Sequence, residues 1–406
     1  MSTLNEVITE LQAAKVNIGT AITAKGGTAN SGNGFSDYAT DIGTITVPVA
    51  KKDVNFYDYD GTLVKGYTIA EAQALSALPS APTHDLLTFQ SWNCTLAQVN
   101  ATVSAIDVGA TYITTDGKSY FYIALTAFSG LVLPICLSKS DVSILSIDWG
   151  DGKTTTNSSS GIVTVTHTYS AIGNYVIKMW ISSGTGTFGL SYFADYETSG
   201  FGGDEENYAR TATLKQVLFG SNVTGINAFA FASCYSLETI TLPNSITTIG
   251  SDAFYDCRSL VSVVIPNSIT SIGQMAFSVC YSLMSVLIPM GVTSIGTSAF
   301  SACGRLASVL VPNRVVSIAT NAFASCYSLK SVTLPDSITS IGSTAFYNCL
   351  ACKNYKIRAT TPPTLASTKA FYGIISSCKI LVPSASLSAY KTATNWSTYA
   401  SYMEGY

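Results

Sequence analysis

The sequence is short of charge: only 11% of its 406 residues are Asp, Glu, Lys or Arg, against about 25% in an ordinary soluble chain. Histidine is almost missing, with His84 and His167 standing far apart. Chemistry that leans on imidazole bases or ligands therefore has little to work with, and no catalytic residue, metal ligand or cofactor is expected. The 21 basic and 24 acidic residues leave a net charge of -3, which offers no overall basic field for nucleic acid. No run reaches the roughly 18 apolar residues of a membrane span. The opening MSTLNEVITELQAAKVNIGT has neither the basic stretch nor the apolar core of a secretory signal, so none is expected. Hydrophobicity, however, is not lacking. At 47% it excludes a disordered chain, and Ser, Thr, Gly and 23 tyrosines make up the deficit in charge.

What is present is a period. Prolines recur at Pro243, Pro266, Pro289, Pro312 and Pro335, and phenylalanines at Phe231, Phe254, Phe277, Phe300, Phe323 and Phe346. A cysteine follows each phenylalanine by three residues, from Cys234 to Cys349, and every step is 23 residues. Each unit opens with L-x-x-L-x-L, as in Leu237, Ile240, Leu242 and then Leu260, Val263, Ile265. Alternate residues of a short strand share one face, so these three turn inward. The later Ile, Phe and Cys columns fill the same interior from the opposite wall. One unit cannot bury that face alone, so the copies must stack into a solenoid at about 4.8 Å per strand.

The string I-P-N-S-I-T-S-I-G-x-x-A-F-x-x-C-x-S-L resembles the BspA-type leucine-rich repeat over residues 213–383. That resemblance implies a surface-exposed binding or adhesion protein of a bacterium or other microbe, or a phage-derived relative. Cysteines stacked about 4.8 Å apart with parallel side chains miss the converging ~3.8 Å Cβ separation of a disulfide. The column is therefore expected to hold small buried thiols in a reducing compartment. Cys349 and Cys352 lack the second C-x-x-C pair that a zinc site would need.

The solvent face of the strands is where such a solenoid is expected to bind. One outward column reads Thr239, Ser262, Ser285, Ser308, Ser331, and the other places Val264, Leu287 and Leu310 in an apolar stripe on a surface expected to be open. The stripe either meets a partner or is shielded by a neighbouring domain. The column after each cysteine carries Tyr235, Arg258, Tyr281 and Tyr327, residue types that dominate interface energetics. Arg258, Arg305, Arg314 and Lys330 are the few charges that interrupt the columns. A helix over 386–402, with Leu387, Tyr390, Trp396 and Tyr399 turned toward the last coil, is expected to cap the open end.

Ahead of the repeats the sequence divides into modules. Residues 1–48 read as a helix over 4–24 and a Gly/Asn/Ser-rich connector; Leu4, Ile8, Leu11, Ile18 and Ile22 form a stripe that either self-associates or docks on its own chain or on a partner. The strings A-I-x-x-K-G, F-S-D-Y and I-G-x-I resemble the N-termini of phage tail and minor structural proteins. Residues 49–127 read as a β-rich module. Within it Asp58-Tyr59-Asp60-Gly61-Thr62 resembles the nucleophile motif of haloacid-dehalogenase phosphatases, but no strand–helix series follows, and two strands joined by an Asp-Gly turn are expected instead. Residues 128–195 carry W-G-D-G from Trp149, then His167-Thr168-Tyr169 and Gly173-x-Tyr175. That order resembles the polycystic-kidney-disease-like domain, an immunoglobulin-type sandwich. Residues 196–212 read as a linker, and 384–406 as the cap.

The expected fold class is thus mainly β: an N-terminal helix, a β-rich module, a sandwich, then a leucine-rich-repeat solenoid with a capping helix. The expected function is non-enzymatic, a phage or prophage tail or fibre-type protein that binds a host surface protein or glycan through its solenoid. It would contact other virion proteins through its N-terminus and self-associate, a trimer being favoured. It would assemble in the host cytoplasm and reside in the virion, without nucleic-acid partner or membrane span. The alternative is a bacterial cell-surface adhesin of the same repeat family.

Overall fold

The computed structural model describes residues 52–102, 106–125, 132–190 and 214–406. The helix expected over 4–24 with its stripe from Leu4 to Ile22, and the linker at 196–212, lie outside the described residues.

The first module is a four-stranded sheet. Val54–Tyr57 and Leu63–Tyr67 form the expected hairpin, with Val54 opposite Tyr67, and its turn is closed by Asp58 N–H donating to the Thr62 carbonyl at 2.8 Å. Gly61 supplies the left-handed turn residue at φ 87°. Val54–Tyr57 also runs parallel to Ile106–Thr114, which pairs antiparallel with Leu87–Trp92. Two short helices, Ile69–Gln73 and Leu96–Asn100, each open with a reciprocal capping box, Thr68 with Glu71 and Thr95 with Gln98. Such a box satisfies two backbone donors that a helix start leaves orphaned. Phe56, Trp92 and Tyr112 centre a core of their own.

The sandwich forms as two sheets, but its edges are not those read from the sequence. Ser119–Leu125, assigned above to the preceding module, is an inner strand of the sandwich, between Gly173–Ser183 and the first solenoid strand Leu214–Leu218. The opposite sheet runs from Gly161–Thr168 through Val132–Lys139 and Phe188–Leu190 into Val223–Ile226 and Thr248–Ile249. Both sheets therefore continue into the two walls of the first coils. The physical reason is the edge problem: a solenoid end exposes unpaired backbone and a cut core, and the sandwich covers both. One continuous apolar core runs from Phe121 to Met403.

Along the solenoid, Ser262–Val264 pairs with Ser285–Leu287 on one wall in parallel, and Ser271–Ile272 with Ser294–Ile295 on the other. The phenylalanine column stacks ring on ring; Phe277 and Phe300 lie 5.4 Å apart and 1° from parallel. Each of the six coils carrying Phe231 to Phe346 turns twice through the left-handed region at residues that are not glycine, for example Met275 at φ 51° and Val279 at φ 64°.

The cap is not one helix. Ser384–Ser386 and Trp396–Tyr402 are 3-10 turns flanking a short α-helix, Leu387–Thr392. Ala393 is extended at ψ 150° and Asn395 left-handed at φ 64°, which bends the chain so that Tyr390, Trp396 and Tyr399 all reach the core. Indole Nε1 of Trp396 donates to the Pro363 carbonyl at 2.7 Å. Met403–Gly405 then adds a parallel strand to Lys379–Val382 and closes the sheet.

Candidate binding surface

The apolar stripe is not open. Val264 and Leu287 are each 3% exposed, covered by Tyr57 and Leu63 of the first module. The fit depends on glycine: a Cβ at Gly109 would lie 2.5 Å from Val264 Cγ1 and 2.8 Å from Leu287 Cδ1, closer than any real contact. Polar groups fasten the rim. Asn93 donates to the Ile265 carbonyl at 3.2 Å, and Asn244 donates its backbone N–H to Gln90 Oε1 at 2.9 Å and its amide to Ser91 Oγ at 2.8 Å. Placing Val264 and Leu287 in an open stripe is therefore corrected. They bury apolar area against their own chain, since two bulky aliphatic columns on a strand face are left in water only at a cost of about 25 cal/mol per Å². Leu310, half-buried, marks where the cover ends, in a small cleft with Asn93, Asp107, Met290 and Pro312.

Beyond Leu310 the strand face is free. Ser331, Asn354 and Lys379 are exposed there, with Thr333 and Lys356 half-exposed beside them. The loop edge is a second free surface. Tyr281 is 48% and Tyr327 49% exposed, with Met284 also in solvent. Tyr235 and Arg258 come together on neighbouring coils, the guanidinium 4.6 Å from the ring centre. Arg258 is further held by a fork to Asp256, Nε to Oδ1 at 2.8 Å and Nη2 to Oδ2 at 2.9 Å. The structure thus splits the seven residues singled out above: Val264 and Leu287 in an internal interface, Leu310 at its border, and Tyr235, Arg258, Tyr281 and Tyr327 along the loop edge.

A basic surface was missed because the net charge hides it. Residues 1–256 hold 11 basic and 22 acidic side chains, while 257–406 hold 10 basic and only 2 acidic ones, Asp336 and Glu404. The two parts carry -11 and +8. Counting charge per segment rather than per chain would have found it.

The groups with reactive chemistry are engaged structurally. Asp58 is buried; Oδ2 faces His84 Nε2 at 2.7 Å and Oδ1 accepts the Tyr59 N–H at 2.8 Å. Burial, and then the Asp58 charge, push the Tyr112 hydroxyl up, so it stays protonated beside them. His167 lies 4.7 Å from Trp149 in a parallel stack, with Nε2 2.9 Å from Asp151 Oδ2. Burial alone would raise the Asp151 carboxyl, but the His167 hydrogen bond and the Lys153 backbone N–H bring it below its ordinary value. Burial pushes the thiols of Cys257, Cys303 and Cys326 well above the ordinary range, which makes them inert as nucleophiles. Among the described residues no group of three His, Cys, Asp or Glu could hold a metal ion. No helix among them is long and apolar enough to cross a membrane.

Comparison with known proteins bears on the solenoid. Residues 204–327 and 299–393 match the BspA type leucine-rich repeat region, in six copies. No curated protein matches the chain. Solved structures similar to it include a leucine-rich repeat protein from Bacteroides ovatus (26% identity, 40% of this chain and 48% of that one, TM-score 0.36). Another is from Eubacterium ventriosum (28%, 38% and 42%, TM-score 0.34). A third is the leucine-rich repeat protein of T. pallidum (31%, 35% and 64%, TM-score 0.27). This chain spans less than two thirds of each. The 23-residue coils and the stacked phenylalanines agree with that match to the BspA type leucine-rich repeat region over residues 204–393.

Proposed function

We propose that this chain is a surface-exposed, non-catalytic binding protein of the bacterial adhesin type. The observation that carries the reading is the division of the solenoid. Its interior and its first strands are consumed by packing, whereas the loop-edge tyrosines and the strand face beyond Leu310 are left in solvent. Tyr and Arg in that position are suited to anchoring a macromolecular partner. The repeat region supports the adhesin placement, whereas the virion placement rests on N-terminal strings outside the described residues. The stripe from Leu4 to Ile22 would make the protein an oligomer, a trimer being favoured, and so multiply weak contacts.

Attachment of bacterial and of epithelial cells to the immobilised full chain tests the reading. Cells should adhere above an albumin-coated surface, and the double variant Tyr281→Ala, Tyr327→Ala should lose about fivefold or more. Attachment no better than to albumin would remove the proposal.

A further inference from the structure

We infer that the uncovered strand face and edge of the last coils, from Lys330 to Glu404, bind an acidic polysaccharide, a glycan chain carrying carboxylates. The inference rests on the surface-binding reading above and names its partner class.

Lys330, Lys353 and Lys379 occupy successive coils, Lys379 standing one place further along, in register with Asn354 and Ser331. The Lys353 N–H donates to the Lys330 carbonyl at 2.9 Å, and the Lys379 N–H to the Lys353 carbonyl at 2.8 Å. Like charges on adjoining strands destabilise a sheet, and the fold does not require them. Ala307 holds the place before Lys330 in the same ladder, accepting the Lys330 N–H at 3.0 Å. Lysine here therefore works against stability unless an anion joins it.

The chain supplies only part of that anion. Glu404 pairs with Lys379, and Asp336 with Arg358 at 2.7 Å. Lys330 and Lys353 are exposed and have no carboxylate partner among the described residues. Lys356, in register between Thr333 and Leu381 on the strand face, lies 4.3 Å from the centre of the Tyr406 ring. Across three coils five cations thus face two carboxylates.

Three features select a glycan over other polyanions. The cations repeat with the coil, about 4.8 Å, whereas phosphates of duplex DNA recur about every 3.4 Å along a strand. The ladder is lysine throughout, a point charge, without the planar forks that favour phosphate. Between the cations stand hydroxyl and amide groups, Ser331, Thr333 and Asn354, which can exchange hydrogen bonds with sugar hydroxyls. Exposed Tyr327 precedes Lys330 by three residues, and exposed Tyr372 stacks one face on Tyr347 at 5.1 Å; an exposed ring face suits stacking on a pyranose.

The test uses the full chain and polygalacturonate as the probe, with neutral dextran, a thymidine oligonucleotide and phosphatidylglycerol vesicles alongside. Polygalacturonate should bind, dextran should not, and the triple variant Lys330→Gln, Lys353→Gln, Lys379→Gln should weaken binding about tenfold or more. Lys65→Gln, on the first module, should change nothing. The double variant Lys330→Gln, Lys353→Gln should melt no lower than the parent, because repulsion has been removed and the Lys379–Glu404 pair is kept. Failure to bind polygalacturonate, binding by the triple variant within about twofold of the parent, or a melting loss in the double variant would each overturn the proposal. So would tighter binding of the oligonucleotide or the vesicles in competition with polygalacturonate. Cell attachment without polygalacturonate binding leaves the surface reading standing and removes the glycan. Lysine-dependent polygalacturonate binding without cell attachment keeps the site and removes the adhesin reading.

Discussion

Cys280 Sγ donates to the carbonyl oxygen of Phe254, one coil earlier, at 3.1 Å. The same bond recurs from Cys257 to Phe231, Cys303 to Phe277, Cys326 to Phe300 and Cys349 to Phe323, at 3.1–3.3 Å. The cysteine column is therefore more than small apolar filling: each thiol donates to a buried carbonyl, and at Phe231, Phe254 and Phe300 it joins the N–H of the cysteine three residues on, at 3.2–3.3 Å.

Replacing that thiol should cost more than its volume. Cys280→Ala removes the sulfur's packing and one of two donors to the Phe254 carbonyl, which keeps the Cys257 N–H at 3.3 Å, a loss of about 0.5–1.5 kcal/mol beyond the packing. Thermal or urea unfolding of the full chain measures it. A variant as stable as the parent would show that the S–H bond contributes nothing.

The same thiols make the solenoid sensitive to alkali. An unfolded thiol ionises near pH 8.5, while burial holds the folded ones far higher, Cys349 at about 12. Above the unfolded value the unfolded state binds fewer protons than the native one, so stability falls as pH rises. It is fully present below about pH 8.5 and is lost progressively above it, at up to about 1.4 kcal/mol per pH unit for each thiol. Urea midpoints between pH 8 and 11 should drop steeply, and Cys303→Ala should make the slope shallower.

Val279 turns through the left-handed region at φ 64°, which β-branched residues tolerate poorly. Asp256 and Asn348 fill the same place in other coils at φ 59° and 57°. Val279→Asn should therefore stabilise the chain by about 1 kcal/mol. A lowered melting temperature would show that the half-buried valine side chain outweighs the backbone relief.

Gly109 is the contact on which the first module seats. Gly109→Val should destabilise by about 1–3 kcal/mol through overpacking and expose Val264 and Leu287. Hydrogen exchange reads this directly, as faster exchange in Val54–Tyr57 and Ile106–Thr114 with little change around Phe323. Unaltered exchange would mean that the module accommodates the side chain elsewhere.

Asp58 gives the sharpest check on catalysis. Asp58→Ala leaves His84 and the Tyr59 N–H without their acceptor and should cost about 1–3 kcal/mol. Parent and Asp58→Asn should be equally inactive on p-nitrophenyl phosphate. Hydrolysis by the parent that the Asn variant abolishes would reopen the phosphatase reading.

The solenoid was legible because its physics is local and repeated. A 23-residue step allows only one stacking, and the columns of Leu, Phe and Cys must then share an interior. The two free tyrosines, Tyr281 and Tyr327, follow from the same register. The lysine ladder was harder to see, since Lys353 to Lys379 spans 26 residues and leaves the period. The cap was misread as one helix because its apolar spacing is helical, whereas Ala393 and Asn395 break the backbone.

By itself, then, the sequence determined the coil, its core, its low charge and the turn at Asp58 to Thr62, each fixed by neighbours in the chain or by identical neighbours one coil away. Tertiary structure decided what lies on the strand face. Whether Val264 and Leu287 meet water or Tyr57 depends on residues about 200 positions apart in sequence, brought together only when Gly109 lets two backbones approach. That contact carries no period, so no column could announce it. It also sets where the free, basic surface begins.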